Sequence, residues 1–415
     1  MTFINERYAD SRAWLIVGAV IAAVLTIALI SAPEGVAKKK KSKNANVTVM
    51  TRNVYLGADL GPAIGADNLG DAIDGAGEIY NEIVRTNFPE RAIPLAKEIN
   101  KSKADLIGLQ EVAHWRVQEM SDGGAPPVSP FGTLATETKY DFLAELMKHI
   151  GGKYKVVAVQ DEFEGELPAD IDGNDATGSG PLGAAGAPGT IIPYGADLDA
   201  RLTMRDVILA RKGSKVKPIK KSVQMDHYDT VFTADVGGAM VTADRGWLSV
   251  DAKYKKNKKS KPTKFRFVNT HLEAFGVPTI KEAQAIELTK NGGPLKTKMR
   301  AILVGDLNSA LLDPHEVGDG GNSGNDGDQL AFKALQAFGM KDYGTMGDFT
   351  CCYGSALDIN EAPFDHTIDH VLANKKAKAK LLKANVTGND PAEITPSGLW
   401  PSDHGGAVSK LKLRK

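Results

Sequence analysis

The chain has 415 residues, of which 42% are hydrophobic and 25% charged. That composition excludes a disordered or fibrous chain and leaves room for one large domain or two smaller ones. Its 51 basic and 51 acidic side chains cancel, so bulk charge names no polyanionic partner and only the placement of charge can.

In chain order, the first feature is the uncharged stretch 13–30, AWLIVGAVIAAVLTIALI, at the short end of bilayer-spanning lengths. Arg7 and Arg12 precede it, and Gly35 and Ala37 follow as small residues placed for signal-peptidase cleavage. Lysines at 38–41 and 43 exclude a buried core helix, although a basic run there opposes the usual inside preference of positive charge. Residues 1–37 are therefore expected to be a signal peptide or an N-terminal membrane anchor, 38–45 a basic linker, and 46–415 one globular domain, secreted or anchored outside the cell.

Short apolar runs then recur, each joined to a polar residue. VTVMTR (47–52) leads into Asn53, ADLIGLQ (104–110) into Glu111, FRFVNT (265–270) into His271, and AILVG (301–305) into Asp306 with Asn308 beyond. In two later runs the polar residue comes first: Asp369 opens DHVLA, and Asp403-His404 open GGAVSKLKL. These runs have the length and β-rich character of buried strands. Helical spacing appears at 80–100 (broken at Asn87 before Pro89), 138–150, 281–290 and 329–338. Strands alternating with helices predict an α/β fold with mixed sheets.

Residues 168–195, rich in Gly, Ala, Pro and Asp, read as a long inserted loop. Residues 318–328, GDGGNSGNDGD, lack the acidic spacing of a calcium loop and read as a loop as well. The two cysteines, Cys351 and Cys352, are adjacent. They can form a vicinal disulfide, pair between chains or stay free, and no function is expected to rest on them.

Each polar residue alone has a bland explanation, such as a turn cap, a strand-end charge or a hydrogen-bonded core histidine. Together they all fall at strand ends, where open α/β sheets form their ligand crevices. The set is rich in oxygen, has two histidines and lacks cysteine, which suits Mg²⁺ or Mn²⁺ and a phosphate ester better than zinc.

The ordered motifs TRN, LQEV, NTHLEA, VGDLNS, TIDHVL and SDHGGAV resemble the endonuclease/exonuclease/phosphatase superfamily over about residues 46–412. The resemblance implies a four-layer sandwich, two mixed β-sheets face to face flanked by helices, in a single catalytic domain. It implies a Mg²⁺-dependent hydrolase of phosphoester bonds, with Mn²⁺ as a substitute. A nuclease-like phosphodiesterase acting on nucleic acid is the first expectation, and a sphingomyelinase-like or inositol-phosphate phosphoesterase the second. A non-catalytic binding module is opposed by the filled positions.

Carried over by motif, Glu111 resembles the principal metal carboxylate, with Asn53 and Asp403 beside it. Asp306 resembles the residue that orients or deprotonates the attacking water, and Asn308 the one that holds phosphate or nucleophile. His404 resembles the phosphate-contacting histidine, Asp369 the carboxylate that fixes it, and His271 the second histidine, stabilising phosphate and assisting the leaving oxygen. Arg205, opening RDVILAR on a strand expected beside His271, is a candidate for substrate phosphate, with an ion pair to Asp206 or Glu273 as the alternative. The stretch 54–74 and the 168–195 insertion depart from familiar members and are expected at the mouth, where loops set substrate choice.

Strand direction also places the lysines. Runs at 38–43, 212–221, 253–264, 375–383 and 410–415 all fall at the strand ends opposite the polar set, roughly 20 Å away. Such a basic pole is either a set of solvated hairpins and tails or a base that docks on an anionic membrane or cell-wall surface. The domain is expected to be a monomer. In WPSDHGGAV (400–408), Trp400 is expected to wall the crevice or cap the core, and Gly405-Gly406 to let the backbone pack close.

Overall fold

Buried strands need partners on both edges and cover on both faces, and the computed structural model shows where these come from. It describes residues 44–119, 121–123, 132–173, 195–310, 329–345, 348–360 and 363–414. The apolar stretch 13–30, the loop 318–328 and most of the 168–195 insertion lie outside the described residues. The strands are β1 (Ala45–Asn53), β2 (Leu106–Gln110), β3 (His114–Glu119), β4 (Glu137–Asp141), β5 (Tyr154–Ala169) and β6 (Leu198–Arg211). Then come β7 (Val216–Pro218), β8 (Gln224–His227), β9 (Phe232–Val236), β10 (Ala239–Ala243), β11 (Gly246–Tyr254) and β12 (Thr263–His271). The last are β13 (Ala301–Asp306), β14 (Met340–Asp342), β15 (Asp369–Asn374), β16 (Lys380–Thr387) and β17 (Gly406–Leu413).

One sheet has the order β16-β17-β1-β2-β6-β3-β4, with β5 also paired to β6; the other runs β14-β15-β13-β12-β11-β7, with β8 paired to β11. Both are mixed: β1 and β2 are parallel, as are β12 and β13, and the neighbouring pairs are antiparallel. Between the sheets lies a core that includes Val47, Val49, Phe265, Phe267, Ile302 and Val304. Burial on both faces explains why these strands read as continuous apolar runs instead of alternating ones.

Helices α1 (Gly61–Ile64), α2 (Leu69–Arg85), α3 (Phe88–Ser102) and α4 (Phe142–Ile150) precede α5 (Pro278–Thr289) and α6 (Leu330–Phe338). Ile83 of α2, Phe88 and Leu95 of α3 and Leu146 of α4 pack on the first sheet. Leu288 of α5 and Leu335 of α6 pack on the second. The result is the expected α/β sandwich of four layers in a single domain.

The break at Asn87 holds: Asn87 adopts φ 40 between α2 and α3. Helix α2 starts earlier than the periodicity suggested, capped by Asn68, whose side chain accepts from the Asp71 amide. The predicted helix 138–150 begins only at Phe142. Asp141 caps it by accepting from the Leu143 and Ala144 amides, and the residues before it are taken by the free edge of β3, with Tyr140 opposite Trp115. A second correction concerns β6. It pairs with β2, β3 and β5 in the first sheet, not beside the His271 strand, which belongs to the second.

Four of the five lysine runs, those at 212–221, 253–264, 375–383 and 410–414, share one end of the strands, and the run 38–43 lies outside the described residues. Ala45 pairs with Leu413, Lys380 with Lys412, and Lys253 with both Lys264 and Lys217. The Arg300 guanidinium reaches the Arg414 carbonyl there and ties the two sheets together. Among the described residues, no helix is long and apolar enough to cross a membrane.

Candidate active site

At the opposite end of the strands the predicted polar residues converge. Asn53 ends β1 and Glu111 follows β2 in the left-handed region at φ 57; Asn308, two residues past β13, is also left-handed at φ 45. Such backbone costs on the order of 1–3 kcal/mol per residue and persists only where its surroundings enforce it. Here the enforcement is visible. Glu111 accepts from Asn53 Nδ2 at 2.8 Å and from the Leu56 amide at 2.8 Å. Asn308 donates its amide to Asp306 Oδ1 at 2.9 Å and its Nδ2 to the Leu272 carbonyl at 2.9 Å.

Asp306 lies between the two histidines. Its Oδ2 is 3.5 Å from His271 Nε2 and 3.6 Å from His404 Nε2. Their surroundings push these rings toward opposite protonation states. His404 Nδ1 bonds Asp369 Oδ2 at 2.8 Å. Burial works against its charge, but Asp369, Asp403 and Asp306 overcome this and hold His404 well above the ordinary histidine range, so it is an imidazolium. His271 is buried too, and Arg245 and His404 add their repulsion, so its pKa falls well below the ordinary value. Arg245, which can only donate, is 2.9 Å from His271 Nδ1. That contact favours a proton on Nε2, toward Asp306, although Asn308 Nδ2, also a donor, stands 3.2 Å from the same nitrogen.

The carboxylates crowd one another. Burial, with the Asp369 charge, pushes Asp306 up to about 6 against the pull of His404. Burial, with Glu111 and Asp306, pushes Asp403 up to about 7 against His404 and Arg91. Glu111, His271 and Asp306 each bring one ligand atom within 4.8 Å of the others. Buried, mutually repelling oxygens are a donor set for a hard divalent cation, which would relieve the repulsion.

Asn53 stands differently from expectation. Its Oδ1 accepts from the Tyr55 amide at 2.9 Å while Nδ2 faces Glu111 and, at 3.1 Å, Asp306. Its amide nitrogen thus orients the two carboxylates. Arg205 also differs. It donates to the Val112 and Ala113 carbonyls and to Asp141 Oδ1, at 2.6 Å, so it braces the loop behind Glu111 instead of facing substrate. Its acidic partner is neither Asp206 nor Glu273; Arg245 takes Glu273, at 3.4 Å.

Two fully buried arginines, Arg91 and the Arg52 of TRN, were not among the expected site residues. Arg91 is fully buried and donates to the carbonyls of Val54, Tyr55, Thr86 and Pro401, stapling the loop after β1 to the Asp403 loop. Burial lowers its pKa to about 10. Arg52 pairs with buried Glu98 at 3.2 Å and donates to the His404 carbonyl. Cys351 and Cys352 form a vicinal disulfide. Cys351 Sγ is 3.5 Å from His404 Nε2 and Cys352 lines the cleft, so the pair is part of the site wall after all. Trp400 caps a small core, stacked on Tyr353 at 4.3 Å. A Cβ on Gly405 would lie 2.7 Å from Val386, and one on Gly406 2.7 Å from Met50, so only glycine admits this close packing.

Residues 84–404 match the model of the Endonuclease/Exonuclease/phosphatase family. Among solved structures, the chain is similar to an endonuclease/exonuclease/phosphatase family protein from Bacteroides thetaiotaomicron (14% identity, 90% of this chain and 99% of that one, TM-score 0.49). It is also similar to a mannosyl-6-phosphatase of that bacterium (15%, 88% and 99%, TM-score 0.48) and to the human Nocturnin catalytic domain (14%, 89% and 93%, TM-score 0.42). Comparison with curated protein sequences finds no match.

Proposed function

The chain belongs to the endonuclease/exonuclease/phosphatase family, and on that premise we propose that it hydrolyses a phosphodiester with a divalent cation, Mg²⁺ or Mn²⁺, held by Glu111 and Asp403. The observation that carries this reading is Asp306 between two histidines, one held charged and the other neutral. When bound, the cation lowers the pKa of water and shields phosphoryl oxygens. Asp306, pushed only to about 6, is mostly ionised at neutral pH and accepts the proton of the attacking water. His404, kept charged by Asp369, binds the negative charge that grows on the phosphoryl oxygens. His271 presents an Nε2–H to the same space, the tautomer that Arg245 favours, and Asn308 keeps Asp306 in place through its amide. In the same reading the domain works outside the cell as a monomer, behind the apolar stretch 13–30. Its basic pole rests on an anionic membrane or cell-wall surface, supported by the shared strand end of the lysine runs.

The test is turnover of bis-p-nitrophenyl phosphate with Mg²⁺, Mn²⁺ and EDTA. The rate should vanish in EDTA and return with metal. Asp306→Asn and His404→Ala should each lower kcat by at least about 10²-fold while thermal melting stays cooperative. Near-wild-type turnover in either variant would falsify the assignment.

A further inference from the structure

The reacting groups form the floor of a cleft of about 840 Å³, and its walls do not look like a track for a polyanion. On one side stand Leu56, Leu60, Ile64 and Ile79, from the stretch after Asn53 and from helices α1 and α2. Opposite are Phe163 and Leu167 of β5 with Leu202 and Met204 of β6. The β9–β10 hairpin closes the third side with Phe232, Val236, Met240 and Val241. This hairpin is fixed in place: Gly237, at φ 59, lies so close to α2 that a Cβ there would be 2.8 Å from Leu69 Cα. At the rim, Met240 and Leu134 are 64% and 47% exposed, apolar surface that water covers poorly.

Charge in the cleft points the same way. Among the described lining residues there is no lysine, and the two arginines are already paired, Arg201 with Glu164 and Arg245 with Glu273. Asp59, Glu164 and Glu166 add carboxylates to those of the floor. A groove for nucleic acid needs cations along several phosphates; this one admits a single phosphate at its floor and an apolar body along its walls.

We infer that the substrate carries a long apolar chain, acyl or alkyl, next to its phosphoester, as phospholipids do, and that the cleft between α1–α2, β5–β6 and the β9–β10 hairpin binds that chain. The inference rests on the hydrolase reading above. It also assigns a role to the stretch 54–74, which supplies one wall.

The experiment compares methyl, butyl and octyl p-nitrophenyl phosphodiesters below their aggregation concentrations, with Mg²⁺ or Mn²⁺, beside supercoiled plasmid DNA. Water adds to phosphorus and p-nitrophenolate leaves with the P–O electron pair, so release is read directly. Each buried methylene should raise kcat/KM about fourfold, the equivalent of about 0.8 kcal/mol, until the cleft is full, and plasmid should be the poorest substrate. Replacing Met240 and Leu134 by Asp should lower the octyl-to-methyl ratio of kcat/KM at least tenfold. A flat series, or plasmid cleaved better than the octyl ester, overturns the chain-binding cleft while leaving the hydrolase intact. No turnover of any member with either metal overturns the hydrolase reading, and the inference with it.

Discussion

Asp369 never faces the cleft, yet it decides what His404 can do. It contributes the strongest pull toward protonation against the cost of burial and holds the ring through Nδ1 at 2.8 Å. In Asp369→Asn the folded-state pKa of His404 should fall, so the imidazolium is lost at lower pH than in the parent. The expected pH–rate profile keeps the parent's acid limb, set by Asp306, and loses activity as pH rises through the lowered His404 value, with kcat down about 10²- to 10⁴-fold at pH 8. A merely structural role would lower kcat equally at every pH, and a profile of that shape would refute the positioning role. At this scale the motif residues were legible because each is joined to a strand-forming run. Arg205 and Arg245 were not distinguishable. Arg245 precedes β11, whose Trp247 pairs with Thr270, one residue before His271. Its place beside the histidine is fixed by that antiparallel register, which no local pattern in VTADRGWLS encodes.

The elements behind the site are joined by a second carboxylate–histidine pair. His370 of β15 meets Asp342 of β14 at 3.3 Å through Nδ1 and the Ser309 carbonyl, just past β13, at 3.0 Å through Nε2. Burial works against its charge, but Asp342 and that carbonyl raise its pKa; Asp342 is half-buried, which works against its charge too, yet its pKa is lowered by the same contact. A histidine raised on folding contributes fully below its unfolded value of about 6.5 and less as pH rises through the folded one. A carboxylate lowered on folding contributes above about 3.9 and loses its effect as pH falls through the folded value. Stability measured by urea unfolding should therefore fall on the alkaline side of pH 6.5. His370→Gln should cost about 2 kcal/mol at pH 6 and flatten that decline; an unaltered alkaline slope would refute the pair's role. The central strands were legible as elements because both of their faces are buried. The edge and hairpin strands β3, β4, β9 and β10 were not, since pairing and not periodicity makes them strands. Thr138 to Asp141 had helical spacing and lost it to the open edge of β3.

Across the whole molecule, the reacting end and the basic end are separated by the length of the central strands, roughly 20 Å. The pole could be read in advance because strands ending in a site residue must begin far from it; which sheet holds β6 could not, because either sheet accepts a strand of that direction. The separation sets a geometric condition. A bilayer that holds the lysine hairpins holds the cleft mouth away from itself, so a chain-bearing substrate must arrive from solution or from a facing surface. Exposed Lys255, Lys256, Lys258 and Lys259, in the turn between β11 and β12, test this without touching the site. Each lysine near an anionic surface contributes about 1 kcal/mol, so reversing all four to Glu should weaken binding to phosphatidylserine-containing vesicles by at least 10²-fold at low salt. Hydrolysis of the soluble octyl ester should keep its kcat/KM in the variant, and in the parent it should be the same free or vesicle-bound. Equal vesicle binding by both proteins rejects docking through this pole, and inhibition of the bound parent would mean that the mouth, not the lysine end, faces the membrane.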